Sequence, residues 1–252
     1  TELYGTPVPK IDDIRAALYA TLSSPVSHEP LESWVNPGDK VALIVSDMSR
    51  FWMRQDLVVP HIISYLTDKC DVNQNNITII IANGTHPGGD ENELRTLVTD
   101  GVYDRIRVVN HDCQAKDLVY IGTTSLGTEV RINPIAANAD KVIMLGACTY
   151  HVMAGYGGGR KSILPGISGL ETIRQNHLHS LDLLAPRSNP LIGNGVTDGN
   201  PLNEDMCQAA AMVKNLFGIN LVTNADMQLA HIISGDPMKS WQLACHRVDE
   251  IY

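Results

Sequence analysis

The sequence predicts an α/β fold in which a doubly wound, mostly parallel sheet carries helices on both faces. Two observations predict it. Short apolar runs rich in β-branched residues alternate along the chain with segments of helical period. The apolar runs are hydrophobic throughout, not only at every second position, which is typical of parallel strands that are buried on both faces.

The predicted elements follow one another in a regular order. The strands are the runs at 41–45, 77–82, 106–109, 142–145 and 219–222. Helical period marks the intervening segments 57–67, 90–99, 170–177 and 203–215. Residues 124–133 show some strand alternation and could add an antiparallel strand, whereas 186–201 read as a long loop. Because no stretch has the composition of a linker, we expect residues 1–252 to form one Rossmann-like domain.

The composition argues against several classes of partner. The chain of 252 residues has a net charge of −9, which opposes broad binding to nucleic acid or to anionic membranes. No apolar run reaches the roughly 18 residues of a membrane helix, and the first residues lack the features of a signal peptide. The five cysteines are scattered without a C-x-x-C pair, which predicts reduced, mostly buried thiols. We therefore expect a cytoplasmic protein.

Polar side chains follow the predicted strands. Asp47, Ser49 and Arg50 follow the first strand, and His151 and a run of glycines follow the fourth. In an open α/β sheet, ligands bind beyond the carboxyl ends of the strands. A guanidinium there can bind a carboxylate or a phosphate, and a neighbouring Asp can orient it. An Asp that caps a helix beside a surface Arg explains the same residues equally well.

Histidines at the same predicted edge are candidates for proton transfer. His86 lies in a glycine-rich turn, N-G-T-H-P-G-G, directly after the strand at 77–82. An imidazole titrates near neutrality, which suits an acid or base, although many loop histidines are only structural. His111 follows the next strand and could also approach the site. The remaining histidines outside the motifs are expected to be structural or exposed: His28, His61, His231 and His246.

A run of glycines followed by two cations resembles a phosphate cradle. Gly157, Gly158 and Gly159 directly precede Arg160 and Lys161. Bare backbone N–H groups can approach an anion there, and the cations can neutralise it. The run is not a P-loop and not a dinucleotide fingerprint, because Arg160 stands where each motif requires a small residue. A flexible turn with solvated charges is the alternative.

One further segment, E-T-I-R-Q-N-H, ends in His177 and is predicted to be helical. It brings another imidazole towards the same edge of the sheet. Imidazole binds nickel, copper, zinc and iron alike, so one histidine does not identify a metal. His179 is a rival ligand, and a capping or packing role explains His177 equally well.

Four motifs occur in a fixed order along the chain. They are D-x-S-R, N-G-T-H, H-x-x-A-G-Y-x-G-G-R-K-x-x-x-P-G and E-T-I-x-x-N-H. Each motif is weak alone, but the ordered set resembles the amino-terminal domain of the lactate racemase family. That family comprises nickel-pincer-nucleotide racemases and epimerases. The resemblance runs over nearly the whole chain.

The resemblance implies a cofactor and the residues that hold it. The family's cofactor is the nickel-pincer nucleotide, pyridinium-3,5-bisthiocarboxylic acid mononucleotide nickel. It is joined by a thioamide to a lysine that matches Lys161, and a histidine that matches His177 completes the nickel coordination. The resemblance also assigns the cofactor phosphate to a group of loop residues: Gly157, Gly158, Gly159 and Arg160.

The resemblance further implies a reaction. One of two histidines, matched by His86 and His151, removes the hydroxyl proton of a 2-hydroxy acid while the C2 hydride passes to the cofactor. Return of the hydride to the other face, with the second histidine as acid, inverts the stereocentre. Arg50, supported by Asp47, matches the ligand of the substrate carboxylate. Departures from the family pattern leave open which hydroxy acid or sugar acid is the substrate: Ser49, Phe51, Trp52, Pro87 and Gly157.

Family membership would also imply partners. These are a small hydroxy acid, the proteins that build the cofactor, and a smaller carboxy-terminal domain that residues 1–252 do not include. Two other functions fit the same residues. One is a nucleotide or phosphometabolite binding protein that uses the glycine run without redox chemistry. The other is a catalytically idle scaffold of the same family.

Overall fold

A computed structural model of the chain describes residues 6–252, in which strands and helices alternate. The strands are β1 Val41–Ser46, β2 Ile77–Ala82, β3 Arg107–Asn110, β4 Val119–Thr123, β5 Glu129–Ile132, β6 Lys141–Ala147, β7 Tyr150–His151, β8 Gly155–Tyr156, β9 Leu216–Thr223 and β10 Leu229–Gly235. The α-helices are α1 Ile14–Ser23, α2 Leu31–Trp34, α3 Val59–Asp68, α4 Glu91–Val98, α5 Asp100–Tyr103, α6 Pro134–Ala137, α7 Leu170–Leu178, α8 Pro201–Ala211 and α9 Pro237–Ile251. Two 3₁₀ helices matter for the site, Met48–Met53 and Gly159–Ser162.

The central sheet has six strands in the order β10-β9-β6-β1-β2-β3. All neighbours pair in parallel except β9 and β10, which pair antiparallel at the edge. The chain starts in the middle at β1, runs outwards through β2 and β3, and then returns to the other side of β1 with β6. This reversal is a topological switch point, where doubly wound sheets open a crevice for ligands.

The sheet is buried on both faces because its side chains alternate between two cores. In β1, Leu43 and Val45 pack into a core formed with α1, α3 and α4. Their neighbours Ala42 and Ile44 pack into the opposite core, which α7 and α8 complete. Since successive side chains of a strand point to opposite faces, a doubly covered strand must be apolar at every position. The predicted doubly wound α/β fold is therefore confirmed.

The helices begin where the sequence supplies capping groups. The Asp90 carboxylate accepts a hydrogen bond from Glu93 N at 2.9 Å at the start of α4. The Asp236 carboxylate accepts from two backbone N–H groups at the start of α9, where Pro237 is the first helical residue. Such caps satisfy the N–H groups that the first helical turn leaves without partners. Local sequence thus fixes where these helices start.

Most predicted elements are found, and the differences are informative. All five predicted strands lie in the six-stranded sheet, and each of the four predicted helical segments contains a helix. The stretch 124–133 contributes β5, which pairs antiparallel with β4 in a separate two-stranded ribbon and adds no strand to the main sheet. Edge strand β10 and helix α1 were not predicted, whereas the helix-like stretch that precedes Tyr252 is α9. None of the five cysteines forms a disulfide bond, and four of them are buried. Between residues 6 and 252, no helix is long and apolar enough to cross a membrane.

Candidate active site

A cavity of about 390 Å³ opens at the carboxyl ends of β1, β2 and β6, at the switch point of the sheet. Each strand end supplies part of its wall. Asp47 directly follows β1, the turn that ends in His86 follows β2, and the hairpin of β7 and β8 follows β6. The cavity wall contains eight of the ten residues expected at the site: Asp47, Arg50, His86, His151, Gly157, Gly158, Lys161 and His177.

Asp47 orients His86. Its Oδ2 lies 2.5 Å from Nδ1 of His86, and its Oδ1 accepts a hydrogen bond from the Ser49 hydroxyl at 2.5 Å. An ionised carboxylate is only an acceptor, so the His86 proton sits on Nδ1 and the Nε2 lone pair is available. The carboxylate is mostly buried and the imidazole is about half exposed at the cavity. In this geometry His86 is arranged as a proton acceptor.

The Asp47 carboxylate supports the Arg50 guanidinium only indirectly, through Ser49. The Arg50 backbone N–H donates to the Asp47 carbonyl oxygen at 3.0 Å, but no hydrogen bond or ion pair joins the two side chains. Instead, the Arg50 Nη1 group donates to the Ser49 hydroxyl and carbonyl oxygens, both at 3.2 Å. Its Nε and Nη2 groups have no acceptor within residues 6–252. They are free to bind a planar anion such as a carboxylate from the cavity.

His151 has the opposite tautomer. Its Nδ1 accepts backbone hydrogen bonds from Met153 N at 3.2 Å and Ala154 N at 3.1 Å. A nitrogen that accepts from N–H groups carries no proton, so neutral His151 carries its proton on Nε2 and acts as a donor. Burial, reinforced by the nearby cations Lys161 and Arg50, lowers the pKa of His151 to about 3. His151 is therefore uncharged at neutral pH, and it can take a second proton, on Nδ1, only if its ring leaves these backbone contacts.

The two histidines should show this difference in the protein without ligand. In two-bond ¹H–¹⁵N correlation spectra of histidine-labelled chain at pH 8, we expect His86 to be protonated on Nδ1 and His151 on Nε2. A His86→Gln variant assigns the first set of signals. Spectra in which both imidazoles show the same tautomer would contradict the geometry.

His177 has a free nitrogen directed by a backbone contact. Its Nδ1 lies 2.9 Å from the Ile173 carbonyl oxygen, which can only accept, so the Nε2 lone pair is available. Burial lowers the pKa of His177, which favours the neutral form that metals bind. Histidine ligands commonly donate their second N–H to a carbonyl in this way. The rival His179 does not line the cavity, and its Nε2 lies 3.9 Å from the Asp205 carboxylate.

Helix α7, which carries His177, is held by a buried polar network. Asp205 is fully buried and accepts hydrogen bonds from Asn176 Nδ2 at 2.9 Å and from the hydroxyls of Thr124 and Thr128. A buried carboxylate requires such donors to offset its lost hydration. The network ties α7 to α8 and to the ribbon of β4 and β5. Of these residues only Asn176 lies in one of the four motifs, E-T-I-x-x-N-H.

The glycine run differs from the expected phosphate cradle. Gly157 N donates to the Thr149 carbonyl at 2.8 Å and Gly159 N donates to Asn220 Oδ1 at 3.0 Å, so two of the three amides have partners inside the fold. Gly159 and Arg160 do not line the cavity, and the Arg160 side chain is fully buried. Gly159 and Arg160 are therefore not placed to contact a cofactor phosphate, because their donors are already used within the chain. Gly157 and Gly158 do line the cavity, and their contact with a phosphate stays a prediction.

His111 also lies away from the cavity. It is buried, with Nε2 at 2.9 Å from the Ser168 carbonyl oxygen and Nδ1 at 3.3 Å from Asn133 Nδ2. Both ring nitrogens therefore have partners, and burial lowers its pKa. This arrangement makes His111 a structural residue. Across residues 6–252, no cluster of three or more His, Cys, Asp and Glu side chains is arranged to hold a metal ion.

Comparison with known proteins decides the family. Residues 2–187 match the family described as the lactate racemase N-terminal domain. The chain belongs to this family. It is 28% identical to the lactate racemase of Thermoanaerobacterium thermosaccharolyticum over 232 residues, which cover 91% of this chain and 52% of the relative. It is also 28% identical to the lactate racemase of Lactiplantibacillus plantarum, over 92% of this chain and 53% of the relative. The chain thus spans about half the length of these curated relatives.

Solved structures of similar proteins support the membership. The apoprotein structure of the lactate racemase from Thermoanaerobacterium thermosaccharolyticum superimposes with a TM-score of 0.87 at 26% identity, covering 97% of this chain and 57% of that one. A protein from Thermotoga maritima shares the fold, with a TM-score of 0.72 at 17% identity over 100% of this chain and 61% of that one. Four ordered motifs in the sequence thus identified the lactate racemase family correctly.

Some residues of this lactate racemase family site were not predicted from sequence. Trp52, Thr149 and Tyr150 line the cavity beside the motif residues. Trp52 was noted only as a departure from the family pattern, and the other two follow the end of β6, which is the signal that could have found them. Trp241 and Asn203, which contact Arg160, come from α9 and α8 and have no local signal.

Proposed function

We propose that this chain is the cofactor-carrying part of a racemase or epimerase of 2-hydroxy acids, with Lys161 as the attachment residue of a nickel-pincer nucleotide. The supporting observation is that Lys161, His177, His86 and His151 all line one cavity at the switch point of the sheet. When bound, the nucleotide supplies a group that takes a hydride from the substrate and returns it. The chain supplies binding, orientation and proton handling.

The residues present fit such a cofactor. Burial, together with Arg160 and Arg50, lowers the pKa of Lys161 to about 7, so a substantial fraction of its amine is neutral at pH 7 and able to form an amide-type bond. His177 would supply the protein's nitrogen ligand to nickel, because its free Nε2 is neutral and its Nδ1 is held by a carbonyl. These donors agree with one lysine link and one histidine ligand.

The substrate would bind through its carboxylate. The free edge of the Arg50 guanidinium matches a carboxylate, and Ser49 fixes its other nitrogen. His86 would take the substrate hydroxyl proton on Nε2, with Asp47 stabilising the imidazolium that forms. His151 would donate its Nε2 proton in a hydrogen bond to the substrate oxygen on the other side. To complete proton transfer, the His151 ring must release Met153 N and Ala154 N.

The relatives' second half would cover the site. Val152 and Leu178 directly follow the cavity residues His151 and His177, and they are 69% and 54% exposed. Exposed apolar side chains at the mouth of a site are typical of contact surfaces. We propose that the smaller carboxy-terminal domain of the family contacts them when it closes over the cavity. A cytoplasmic location and a dependence on cofactor-building proteins also stay predictions.

The test uses the whole gene product made together with the cofactor-building proteins. Intact-protein mass spectrometry and nickel analysis compare native protein, Lys161→Ala and the exposed-lysine control Lys239→Ala. We expect a mass increment with near-stoichiometric nickel in native protein and in Lys239→Ala, and neither in Lys161→Ala. Unmodified, nickel-free native protein, under conditions that load a known lactate racemase, would instead favour a nucleotide or phosphometabolite binding protein.

A further inference from the structure

Arg160 is a buried cation without an anionic partner. Its side chain is fully buried, and no carboxylate among residues 6–252 forms an ion pair with it. Burial lowers the pKa of Arg160 to about 10, which still leaves the guanidinium charged at neutral pH. Burying an unpaired charge is unfavourable, and such groups are retained mainly where they serve a function.

The guanidinium is held rigidly by neutral groups. Its Nη2 donates to the Ala154 carbonyl at 2.7 Å, and its Nη1 donates to the carbonyls of Gly157 and Gly158 at 3.2 and 3.3 Å. Its Nε donates to Asn203 Oδ1 at 2.9 Å, and its centre lies 3.8 Å from the Trp241 ring. Arg160 thus bonds the turn that leads to Lys161, while no anion among residues 6–252 neutralises its charge.

The Trp241 ring also explains why the residue before Arg160 is a glycine. Gly159 has a φ of +48°, and a Cβ at this position would lie 2.8 Å from the Trp241 ring. Only glycine tolerates this conformation and this contact together. The loop is therefore built so that Trp241 can press against the backbone and the guanidinium at once. This places Arg160 behind the cavity wall with its neighbour Lys161 at the cavity surface.

The groups that face Lys161 are cationic or neutral. Arg160 lies on its own 3₁₀ helix, Arg50 comes from the 3₁₀ helix after β1, His151 from β7 and His177 from α7. The Lys161 amine forms no ion pair within residues 6–252. Burial is the first cause that lowers its pKa, and Arg160 is the second, ahead of Arg50. Arg160 and Arg50 are thus the two charges that oppose protonation of this amine.

We propose that Arg160 is a positioning residue for the reaction that modifies Lys161. It fixes the turn that presents the amine, and its charge keeps that amine in the uncharged, nucleophilic form. The inference deepens the proposed function, because it rests on Lys161 being the attachment residue. The electrophile would be an activated carboxylic or thiocarboxylic acid.

The reaction balances without an oxidant or reductant. The nitrogen lone pair of Lys161 attacks the acyl carbon and forms the C–N bond. The bond from that carbon to the leaving group breaks, and its electron pair leaves with the leaving group. The surplus proton on nitrogen passes to water. Only a neutral amine has the lone pair for this attack, so the fraction of neutral Lys161 sets the rate.

The experiment measures acylation of the 252-residue chain without cofactor. Acetylation by N-hydroxysulfosuccinimide acetate is followed at pH 5.5 to 10 by peptide mass spectrometry, with exposed Lys214 as the internal control. We expect the Lys161 rate to reach half its maximum near pH 7. In Arg160→Met the midpoint should rise towards that of Lys214, because a repelling charge is removed. In Arg160→Lys, which keeps the charge, it should stay low.

Several results would overturn the proposal. If Lys161 in the native chain follows the same pH profile as Lys214, the amine is not activated, and this outcome needs no variant. If Arg160→Met and Arg160→Lys lower the rate equally without moving the midpoint, Arg160 is only structural. Circular dichroism identifies a variant that does not fold, in which case Arg160→Lys and the native chain decide. Since no cofactor or substrate is used, failure of racemisation leaves this result unaffected.

Discussion

Asp47→Asn is expected to lower the racemisation rate of the cofactor-loaded protein by about 10²–10⁴-fold. The carboxylate holds the His86 proton on Nδ1 and would stabilise the imidazolium that forms when Nε2 takes the substrate proton. An amide has no charge for this and can turn its NH₂ group towards the ring, which favours the wrong tautomer. The effect should appear in kcat, which is measured from the interconversion of the two enantiomers of lactate or of another 2-hydroxy acid.

The control and a second variant separate this role from others. Asp226→Asn removes the same charge at an exposed position and should leave the rate unchanged. His86→Gln should cost as much as Asp47→Asn, and the double variant should be little worse than either, because the two residues act as one unit. If the fold-losses in rate of the two single variants multiply in the double variant, Asp47 acts mainly through Ser49 and Arg50 instead.

Lys161→Met is expected to stabilise the cofactor-free protein, although most single substitutions are destabilising. The pKa of Lys161 is lowered from 10.5 to about 7 in the folded chain. Between these values the unfolded chain binds a proton that the folded chain does not, so the lysine destabilises the fold most at and below pH 7. We expect a gain of at least about 1.4 kcal/mol near pH 7, the equivalent of one pKa unit.

The sign of the pH dependence is the stronger test. The gain should shrink as the pH rises through the window from about 7 to 10.5, because the unfolded lysine then also loses its proton. Urea unfolding at pH 7 and pH 9.5 measures it, with the exposed Lys214→Met as the matched control. If Lys161→Met is less stable than the native chain at both pH values, the inference that the Lys161 amine is poorly solvated and surrounded by positive charge is wrong.

The central fold was predictable because its strands are short, apolar throughout and separated by helical segments. Local patterns of this kind do not depend on distant contacts. The missed elements lie at the margin of the sheet. Helix α1 precedes the first predicted strand, and β10 pairs only with β9 at the edge. Helix α9, by contrast, has a local signal, because Asp236 and Pro237 form a helix-capping pair at its start.

The position of the site was predictable for a geometric reason. Parallel strands end at a common edge, so Asp47, His86 and His151 were expected to meet. How they interact was not predictable, because it depends on distances that the sequence does not contain. The Ser49 hydroxyl lies between the side chains of Asp47 and Arg50, and the Arg160 side chain points inwards to Trp241, which lies 81 positions later in the chain.

The switch point also orders the assembly of the site in time. As the chain emerges from the ribosome, β1, β2 and β3 come first, and they suffice to bring Asp47 beside His86. The wall that carries Lys161 exists only after β6 has paired with β1 across about a hundred intervening residues, a long-range contact of the kind that forms slowly. We therefore expect the proton-transfer pair to form before the attachment site. A cofactor on Lys161 would mark a chain in which β6 has joined the sheet.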